Sequence, residues 1–385
     1  MTAARWENAT RILCIRLDYL GDVLMSTPAI RALKQSAPGR HITLLTSRSG
    51  EAVARYLPEI DDTIGYAAPW MKSSAPHDPC ADMAMVARLS AGRFDAAVIF
   101  TVYSQNPLPA AMLCYLAGIP LRLAHCHENP YQLLTHWVPD PEPRDTLRHE
   151  VRRQLDLVAS VGAHTGDERL SFRIPASDQR HVAGLLASMD IDPDQPWLAL
   201  HPGASAASRR YPPTHWAQAS RQLAATLRCP LVFTGSADEA PLVEEIRASV
   251  PGSHSLAGRL DLGQLAALIA RASVLISNNT GPAHLAAAVG TPVVDLYALT
   301  NPQHAPWQVA SRVLFRDVPC RYCYKSACPQ GHHACLAGVP PEEVAAAARE
   351  LLERRSTMQP APPDAAQQFV CTLLPPLDGH RCANA

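Results

Sequence analysis

Residues 274–290 read VLISNNTGPAHLAAAVG and join a predicted strand to a short predicted helix through a polar turn. After the asparagines, Thr280, Gly281 and Pro282 precede an alanine-rich helix that Gly290 closes. Thr280 is a natural N-cap, and Pro282 fits the first turn of a helix. Gly281 lets the backbone come close to a ligand. The N–H groups at such a helix start, together with the positive end of its dipole, form an anion site.

Two polar side chains in this turn favour a ligand site over a purely structural turn. Asn279 precedes the helix, and His284 lies one turn into it, on the side that faces the anion. The alternative is a well-capped core helix, which would require neither residue. We therefore predict that Asn279, Thr280, Gly281 and His284 bind an anionic ligand.

The same order of strand, turn and helix recurs on both sides of this stretch. Short apolar runs predict strands, and the periodic runs between them predict helices. The predicted strands cover residues 11–17, 41–46, 95–100, 197–200, 231–234, 274–277 and 292–296. The predicted helices include residues 50–57, 147–161, 177–189, 214–227, 237–249, 262–271 and 282–289. Two successive βαβ series predict an α/β protein with two doubly wound domains that face each other across a cleft.

The proline-rich segment IDPDQP, residues 191–196, indicates an interdomain linker. We therefore expect a first domain over residues 1–190 and a second over residues 191–340. The segment PPEEVAAAARELLER, residues 340–354, predicts a final helix with acidic residues in its first turn and basic residues in its last, and we assign residues 341–355 to this C-terminal helix. The tail at 356–385 is rich in Pro, Ala and Gln and is expected to be flexible.

The composition limits the partners that the chain is expected to have. Its 385 residues are 47% hydrophobic and 18% charged, with a formal net charge of −1, so no general attraction to nucleic acid is expected. No signal-peptide pattern opens the sequence, and no apolar stretch approaches the roughly 18 residues of a membrane span. We expect a cytoplasmic protein, with peripheral contact with a membrane left open.

A second polar turn, HPGASAASRRYPP, occupies residues 201–213 and follows a predicted strand. Gly203 and Ser205 supply backbone and hydroxyl donors, and Arg209 and Arg210 supply permanent positive charge that forks onto phosphate oxygens. The alternative is a solvated surface loop whose arginine stems pack along the protein. Because this loop and the 274–290 turn belong to one predicted domain, each strengthens the case for the other as a phosphate site.

Acidic residues mark two further strand ends. In LDYLGDVLMSTP, Asp22 is either a helix N-cap or a carboxylate that projects into the cleft as a general base. Asp18 is a weaker candidate for the same role. In TGSADE, Glu239 or Asp238 is placed to accept hydrogen bonds from ribose hydroxyls, although either residue also suits the first turn of a helix.

Three ordered motifs resemble glycosyltransferase family 9, the bacterial heptosyltransferases that build the inner core of lipopolysaccharide. They are IRLDYLGDV from residue 15 followed by TPA, HPGA from residue 201 followed by RRYP, and NTGP from residue 279 followed by HLA. The resemblance covers residues 11–352. It implies the GT-B arrangement of two Rossmann-like domains with the active site between them. It also implies an ADP-heptose donor held mainly by the second domain.

The resemblance implies a role for each site residue. Asp22 matches the general base that deprotonates the acceptor hydroxyl in an inverting transfer, which expels a nucleoside diphosphate. Thr280, Gly281 and the helix start would stabilise the diphosphate, and Arg209 stands where the family usually has a lysine. Glu239 matches an acid near the ribose. The implied chemistry requires no cofactor, and the implied acceptor is the lipopolysaccharide core or a related lipid-linked glycan.

This chain departs from the family at two positions, and two other functions stay open. The family commonly has Asp where this chain has Asn279, and an amide removes a negative charge near the diphosphate and donates as well as accepts hydrogen bonds. Arg209 favours bidentate contact where lysine offers a point charge. The chain could instead transfer sugar to a protein, or bind nucleotide sugar without catalysis. A binding module would not need Asp22 as a base.

Four of the eleven cysteines are grouped within sixteen residues: Cys320, Cys323, Cys328 and Cys335. Four thiolates at such spacing can bind zinc or iron tetrahedrally. By resemblance, some related protein-modifying heptosyltransferases carry a cysteine-bound iron, although their spacing differs. The alternatives are a reduced packing cluster or one or two disulfides. A structural metal at these cysteines is therefore a hypothesis, and it carries no catalytic role.

Overall fold

The computed structural model describes residues 5–72, 78–192 and 194–357 and contains two parallel β-sheets of six strands each. Helices cover the faces of both sheets, so the predicted α/β class with two doubly wound halves is confirmed. The final helix is longer than predicted and runs to Thr357. The rest of the predicted tail lies outside the described residues.

The first sheet has the strand order β3-β2-β1-β4-β5-β6. Its strands are β1 Arg11–Arg16, β2 His41–Thr46, β3 Asp62–Gly65, β4 Ala96–Ile99, β5 Leu121–Cys126 and β6 His136–Pro139. The helices of this half are α1 Leu20–Gln35, α2 Arg48–Ala54, α3 Pro79–Ala91, α4 Leu108–Leu116, α5 Glu150–Ala159 and α6 Ala176–Ser188. Successive residues of β1 pack into different cores: Ile12 lies in the core that contains α1 and α5, and Leu13 lies in the core that contains α3 and α4. The sheet is therefore buried on both faces.

The second sheet repeats this plan with the order β12-β11-β10-β7-β8-β9. Its strands are β7 Leu198–His201, β8 Leu231–Phe233, β9 His254–Ser255, β10 Val274–Asn278, β11 Val293–Leu296 and β12 Ser311–Leu314. Its helices are α7 Pro213–Leu227, α8 Ala240–Arg247, α9 Leu262–Arg271, α10 Gly281–Val289, α11 Ala334–Ala337 and α12 Pro341–Thr357. Leu275 packs towards α9 and α10, while Ile276 packs towards α7 and α12.

In both sheets the strand order reverses beside the first strand of the half. β1 lies between β2 and β4, and β7 lies between β8 and β10. In open parallel sheets of this kind, ligands bind outside the carboxyl ends of the strands at the point where the order reverses. The loops that follow β1, β7 and β10 are therefore the loops that the topology places at the binding crevice.

The two halves share apolar packing as well as a crevice. A single buried core contains residues from α1 and α5 of the first half and from α9 and α10 of the second. Helix α1 packs against α10, and α6 packs against α9. Helix α12 packs on α7 and on the second sheet. None of the described helices is long and apolar enough to cross a bilayer.

Candidate active site

The predicted anion turn lies at the start of α10, directly after β10. Thr280 occupies the N-cap position, but its hydroxyl donates to the carbonyl of Asn278 at 3.3 Å, and no side-chain hydrogen bond from the cap closes the helix. A Cβ added to Gly281 would lie 3.3 Å from Leu20 at the start of α1. In the first turn of α10, Pro282 has no N–H and the Ala283 amide donates to the Thr280 carbonyl at 3.0 Å, which leaves the Gly281 amide available to a ligand close to the other half of the protein.

Two adjacent asparagines fix the turn to its neighbours. Asn278 is buried, and its Nδ2 donates to the carbonyl of Pro202 at 2.8 Å while its Oδ1 accepts from the Tyr211 amide at 3.2 Å. Asn279 uses both polar atoms on the backbone of Ala298, at 3.1 and 3.2 Å. Asn278 therefore joins the two predicted phosphate loops, which the sequence did not reveal. Asn279 orders the turn, and its direct contact with a ligand stays a prediction.

The loop after β7 brings its first arginine towards the same turn. Arg209 is partly exposed at the end of a short 3-10 turn, and it lies near enough to His284 to interact with it electrostatically. Arg210 is exposed, and its Nε donates to the carbonyl of Ala204 at 2.8 Å. Ser205 is also exposed on this loop. The geometry thus favours Arg209 over Arg210 as the cation of the α10 turn.

Glu239 follows β8, the strand that pairs with β7, and it packs against Gly203 in the loop after β7. Its Oε2 accepts from the Ser236 amide at 2.8 Å and lies 3.9 Å from Nε2 of His201. A Cβ added to Gly203 would lie 2.1 Å from the Glu239 carboxyl carbon. Gly203 is therefore required for this close approach. Glu239 closes a turn through Ser236, as the structural interpretation expected, and its carboxylate also lies against the loop after β7.

Asp22 is not the N-cap of α1, and its role as a general base stays a prediction. The N-cap of α1 is Tyr19, and Asp22 is the third residue of the helix, where its Oδ2 accepts from the Tyr19 amide at 3.2 Å. Burial raises the pKa of Asp22, but the charge of Arg16 together with His304, His284 and the Tyr19 amide outweighs burial and holds the pKa below its ordinary value. The carboxylate is therefore ionised at neutral pH and is accessible at its outer edge.

Arg16 organises the carboxylates beneath this site, and sequence analysis missed it. Its guanidinium is fully buried and lies 2.7 Å from Glu150, 2.9 Å from Asp18 and 3.1 Å from Asp22. Burial raises the pKa of Asp18 to about 6, and Asp22 adds to this effect against the opposing charge of Arg16 and a hydrogen bond from Gln105. The only signal in the sequence was an arginine directly after the apolar run at residues 12–15 of β1.

His284 brings the two halves of the site together. It is buried, and a Cβ added to Gly21 would lie 2.5 Å from its Cδ2. Burial lowers the pKa of His284 to about 4; Asp22 opposes this effect, and the charges of His304 and Arg209 reinforce it. The imidazole is therefore neutral at neutral pH. The predicted base on α1 and the predicted anion turn on α10 thus share one contact region.

The four clustered cysteines lie between β12 and α12, and the structure does not arrange them as a metal site. The thiols are free, and within the described ranges no group of three or more His, Cys, Asp or Glu side chains is placed to hold a metal ion. Cys335 is packed against the second core at α11, whereas backbone N–H groups of residues 330–333 surround the sulfur of Cys328. The structure of the described residues therefore does not support the predicted zinc or iron site at Cys320, Cys323, Cys328 and Cys335.

This cysteine segment nevertheless contacts the crevice. The carbonyl of Ser326 accepts from the Ser208 amide at 3.0 Å, beside Arg209. The hydroxyl of Tyr324 lies 2.9 Å from that of Tyr103, which belongs to the loop after β4. The segment therefore touches the phosphate loop of one half and a loop of the other.

Two Rossmann-like halves, each with a parallel six-stranded sheet, and a predicted site where they meet are the arrangement of a GT-B type of protein. Similarity to known proteins agrees with this class. The model of glycosyltransferase family 9 (heptosyltransferase) matches residues 83–334. The chain therefore belongs to glycosyltransferase family 9.

Individual relatives support the same assignment over almost the whole chain. The lipooligosaccharide heptosyltransferase 2 of Haemophilus influenzae is 30% identical over 354 residues, which cover 89% of this chain and 99% of the relative. The crystal structure of a family 9 glycosyltransferase from Veillonella parvula superposes with a TM-score of 0.74 at 22% identity, covering 92% of this chain and all of the other. The structure of the E. coli ADP-heptose LPS heptosyltransferase II gives a TM-score of 0.69 at 23% identity, with 90% and 99% covered. The chain is thus a homologue of heptosyltransferases with their GT-B fold.

Proposed function

We propose that this protein is an inverting glycosyltransferase that transfers heptose from ADP-heptose to a lipopolysaccharide-core or related glycan acceptor. The observation that carries the proposal is the contact between the start of α1, which holds Asp22, and the start of α10, which holds His284. In this proposal, the acceptor base and the diphosphate site therefore lie at two helix starts that approach each other closely. The E. coli relative, which is named for ADP-heptose, supports the choice of donor.

In the proposed reaction, the acceptor hydroxyl attacks the anomeric carbon while its proton passes to Asp22. A new carbon–oxygen bond forms on one face of the sugar, and the bond to the β-phosphate oxygen breaks on the opposite face, so that the configuration inverts and ADP leaves. The low pKa of Asp22 makes it a weak base. Proton transfer is therefore expected to accompany carbon–oxygen bond formation instead of preceding it.

The departing diphosphate gains negative charge, which the donor half is arranged to stabilise. The N–H groups at Thr280 and Gly281 and the dipole of α10 face the diphosphate in this proposal, and Arg209 adds a full positive charge. Glu239 would accept from the ribose, beside the backbone at Gly203. These groups supply the charge stabilisation themselves, so the proposed chemistry requires no metal or other cofactor.

The proposal divides the chain by substrate. Residues 1–190 would bind the acceptor and residues 191–340 the donor, with Ser205, Arg210, Asn279 and His284 at the edge of the donor site. A lipid-linked acceptor implies a cytoplasmic enzyme with peripheral contact with the inner membrane. Nucleic acid has no part in this proposal.

Nucleotide binding tests the donor half without requiring the acceptor. ADP should raise the midpoint of thermal unfolding more than UDP or GDP at equal concentration, because a ligand that binds only the folded state stabilises it in proportion to its affinity. An equal response to all three nucleotides would contradict the adenine assignment. Transfer from ADP-heptose is then assayed with a heptose-free core glycan and, separately, with a protein acceptor, since a product on protein alone would redirect the acceptor assignment.

Asp22→Ala tests the catalytic half. The variant should bind ADP as the unsubstituted protein does, and its transfer rate should fall by about 10²-fold or more because the general base is lost. A correctly folded Asp22→Ala protein with an unchanged rate would contradict the role of Asp22 and would favour another base.

A further inference from the structure

A buried chain of polar contacts runs from the donor half of the protein to Asp22. Nε2 of Gln303, in the loop after β11, donates to Oε2 of Glu150 at 3.4 Å. The other oxygen of Glu150 accepts from Nη1 of Arg16 at 2.7 Å, and Nη2 of Arg16 donates to Asp22 at 3.1 Å. Arg16 and Glu150 have no exposed side-chain surface, and Gln303 is 5% exposed. A residue beside the donor site is thus linked to the base by three successive contacts.

The loop that carries Gln303 is held firmly on the first half. His149 is the N-cap of α5, and its Nδ1 accepts from the Val151 amide at 3.1 Å. Its Nε2 therefore carries the proton and donates to the carbonyl of Ala305 at 2.8 Å. The His149 ring also packs on Trp307, whose Nε1 donates to the carbonyl of Glu168 at 2.7 Å. Position and orientation of the loop are consequently fixed relative to α5 and Glu150.

Stability alone does not account for this arrangement. A buried ion pair costs a large desolvation free energy, and an apolar pair of the same volume is often as stable. One carboxylate would neutralise the charge of Arg16, but three carboxylates are paired with it. Two of these, Asp18 and Asp22, reach the crevice at the end of β1, while Glu150 lies beneath them. The surplus negative charge is concentrated where the acceptor must lose a proton.

We propose that Arg16 and Glu150 are positioning residues that fix the orientation and charge of Asp22, and that Gln303 links them to the donor half. This inference rests on the proposed function, because it assigns partners to a base that Asp22 provides. Arg16 donates to one oxygen of Asp22, and the Tyr19 amide donates to the other. Glu150 accepts from the Arg16 guanidinium and so fixes its position. In this proposal, the exposed edge of the Asp22 carboxylate is left for the acceptor.

Glu150→Gln separates positioning from simple structural support. The amide keeps the volume of the side chain but removes the negative charge that holds Arg16, so Arg16 pairs more strongly with Asp22. Both effects lower the pKa of Asp22, since a negative neighbour is lost and a positive neighbour is strengthened. The acid limb of the profile of kcat against pH should move to lower pH. Because the base is weaker and less well oriented, kcat should fall about tenfold or more.

Glu142→Gln is the matched control. Glu142 is also a buried glutamate near α5, and it pairs with buried Arg153 at 2.6 Å, away from Asp22. The control variant should lose stability but keep its kcat and its pH profile. Both variants should keep the ADP affinity of the unsubstituted protein, since the donor site is untouched.

The outcomes distinguish this inference from the proposed function. A Glu150→Gln protein with an unchanged kcat and pH profile, alongside an inactive Asp22→Ala protein, would overturn the positioning role. An active Asp22→Ala protein would instead refute the proposed function. If Glu150→Gln does not fold, Gln303→Met provides the test, because it keeps the volume of Gln303 and removes its donor. That variant should lower kcat with ADP affinity unchanged, and an unaltered kcat would overturn the link between the halves.

Discussion

Gly21 and His284 are in contact although they belong to different halves of the protein: a Cβ on Gly21 would lie 2.5 Å from the imidazole Cδ2. Gly21 lies in the first turn of α1, and His284 lies in the first turn and a half of α10. Two helix N-termini therefore meet, and their dipoles place positive potential on both sides of the contact. Asp22 supplies one negative charge there, and a diphosphate is the kind of ligand that would supply more.

Gly21→Ala should therefore separate the two helix starts. The added methyl group overlaps the ring of His284, which is buried, so the ring or one of the helix starts must shift. We expect kcat to fall about tenfold or more in a transfer assay, because displacements of about 1 Å in an active site have effects of this size. ADP binding should change less, since the donor loops after β7 and β10 stay within one half.

Gly184→Ala is the control for this change. Gly184 is exposed in α6, and a Cβ there would meet no atom within 4 Å. The control should raise the free energy of unfolding by up to about 1 kcal/mol, because alanine favours a helix over glycine. Equal activity of the two variants would show that the contact at Gly21 has no bearing on transfer.

Arg209→Gln should weaken ADP binding, whereas Arg210→Ala should affect it little. A hydrogen bond to a charged group contributes about 1.5–3 kcal/mol, so loss of the Arg209 contact predicts an increase in Kd of about tenfold or more. Arg210 is exposed, and its Nε already donates to the carbonyl of Ala204. Titration calorimetry with ADP measures both values. A larger loss in the Arg210 variant would reverse the assignment of the phosphate-binding arginine.

The sequence predicted the parts of the fold that have unbroken apolar runs. The strands β1, β2, β7, β10 and β11 lie within about one residue of their predicted bounds, because each is buried along its whole length or nearly so. Strand β5 was missed although it is fully buried, since Arg122 and His125 interrupt its pattern. The guanidinium of Arg122 is accommodated because it donates to nearby backbone carbonyls. Strands β3 and β6 are short and half exposed, so they carry no clear apolar signal.

The sequence predicted those parts of the candidate site that lie within a single loop after a strand. Thr280, Gly281 and Arg209 follow strand ends, where the fold type places ligands. The contact between Arg16 and Glu150 joins residues 134 positions apart, so no local pattern could indicate it. Asn278 was visible in the sequence as one of two adjacent asparagines. Its hydrogen bond to the loop at Pro202 follows from the pairing of β7 with β10, which the sequence does not show.

Asn279→Asp would give this chain the residue that is common in its family, and we expect it to be destabilising here. The Asn279 amide both donates to and accepts from the backbone of Ala298. A carboxylate cannot donate, so the Ala298 carbonyl would lose its partner and face a buried negative charge. The free energy of unfolding at pH 7 should fall by about 1–3 kcal/mol in urea denaturation. Asn8→Asp, at an exposed position in the 3-10 turn before β1, serves as the control and should change little; equal effects would show that the Ala298 contacts are not the cause.

Asp295→Asn should stabilise the protein, and the gain should grow as the pH rises. Asp295 is 1% exposed, and neither of its oxygens has a hydrogen-bond partner within the described part of the chain. Burial raises its pKa to about 8 against the opposing charge of Arg209. An unfolded Asp ionises near pH 4, so between about pH 4 and 8 the folded state binds more protons, and the stability contributed by this group falls as pH rises.

The asparagine variant lacks this ionisation, so its thermal midpoint should exceed that of the unsubstituted protein by an amount that increases from pH 5 to pH 8 and then levels off. Asp140→Asn is a control of opposite sign. The Asp140 side chain is buried but pairs with Arg153 at 2.6 Å. Burial raises the pKa of Asp140, but the hydrogen bond and the charge of Arg153 outweigh burial and hold the pKa below its ordinary value. That variant should be less stable than the unsubstituted protein at neutral pH, and the deficit should shrink as the pH falls through the folded-state pKa of Asp140. A gain for Asp295→Asn that does not vary with pH would show that Asp295 is ionised in the folded protein and has a partner that compensates its charge.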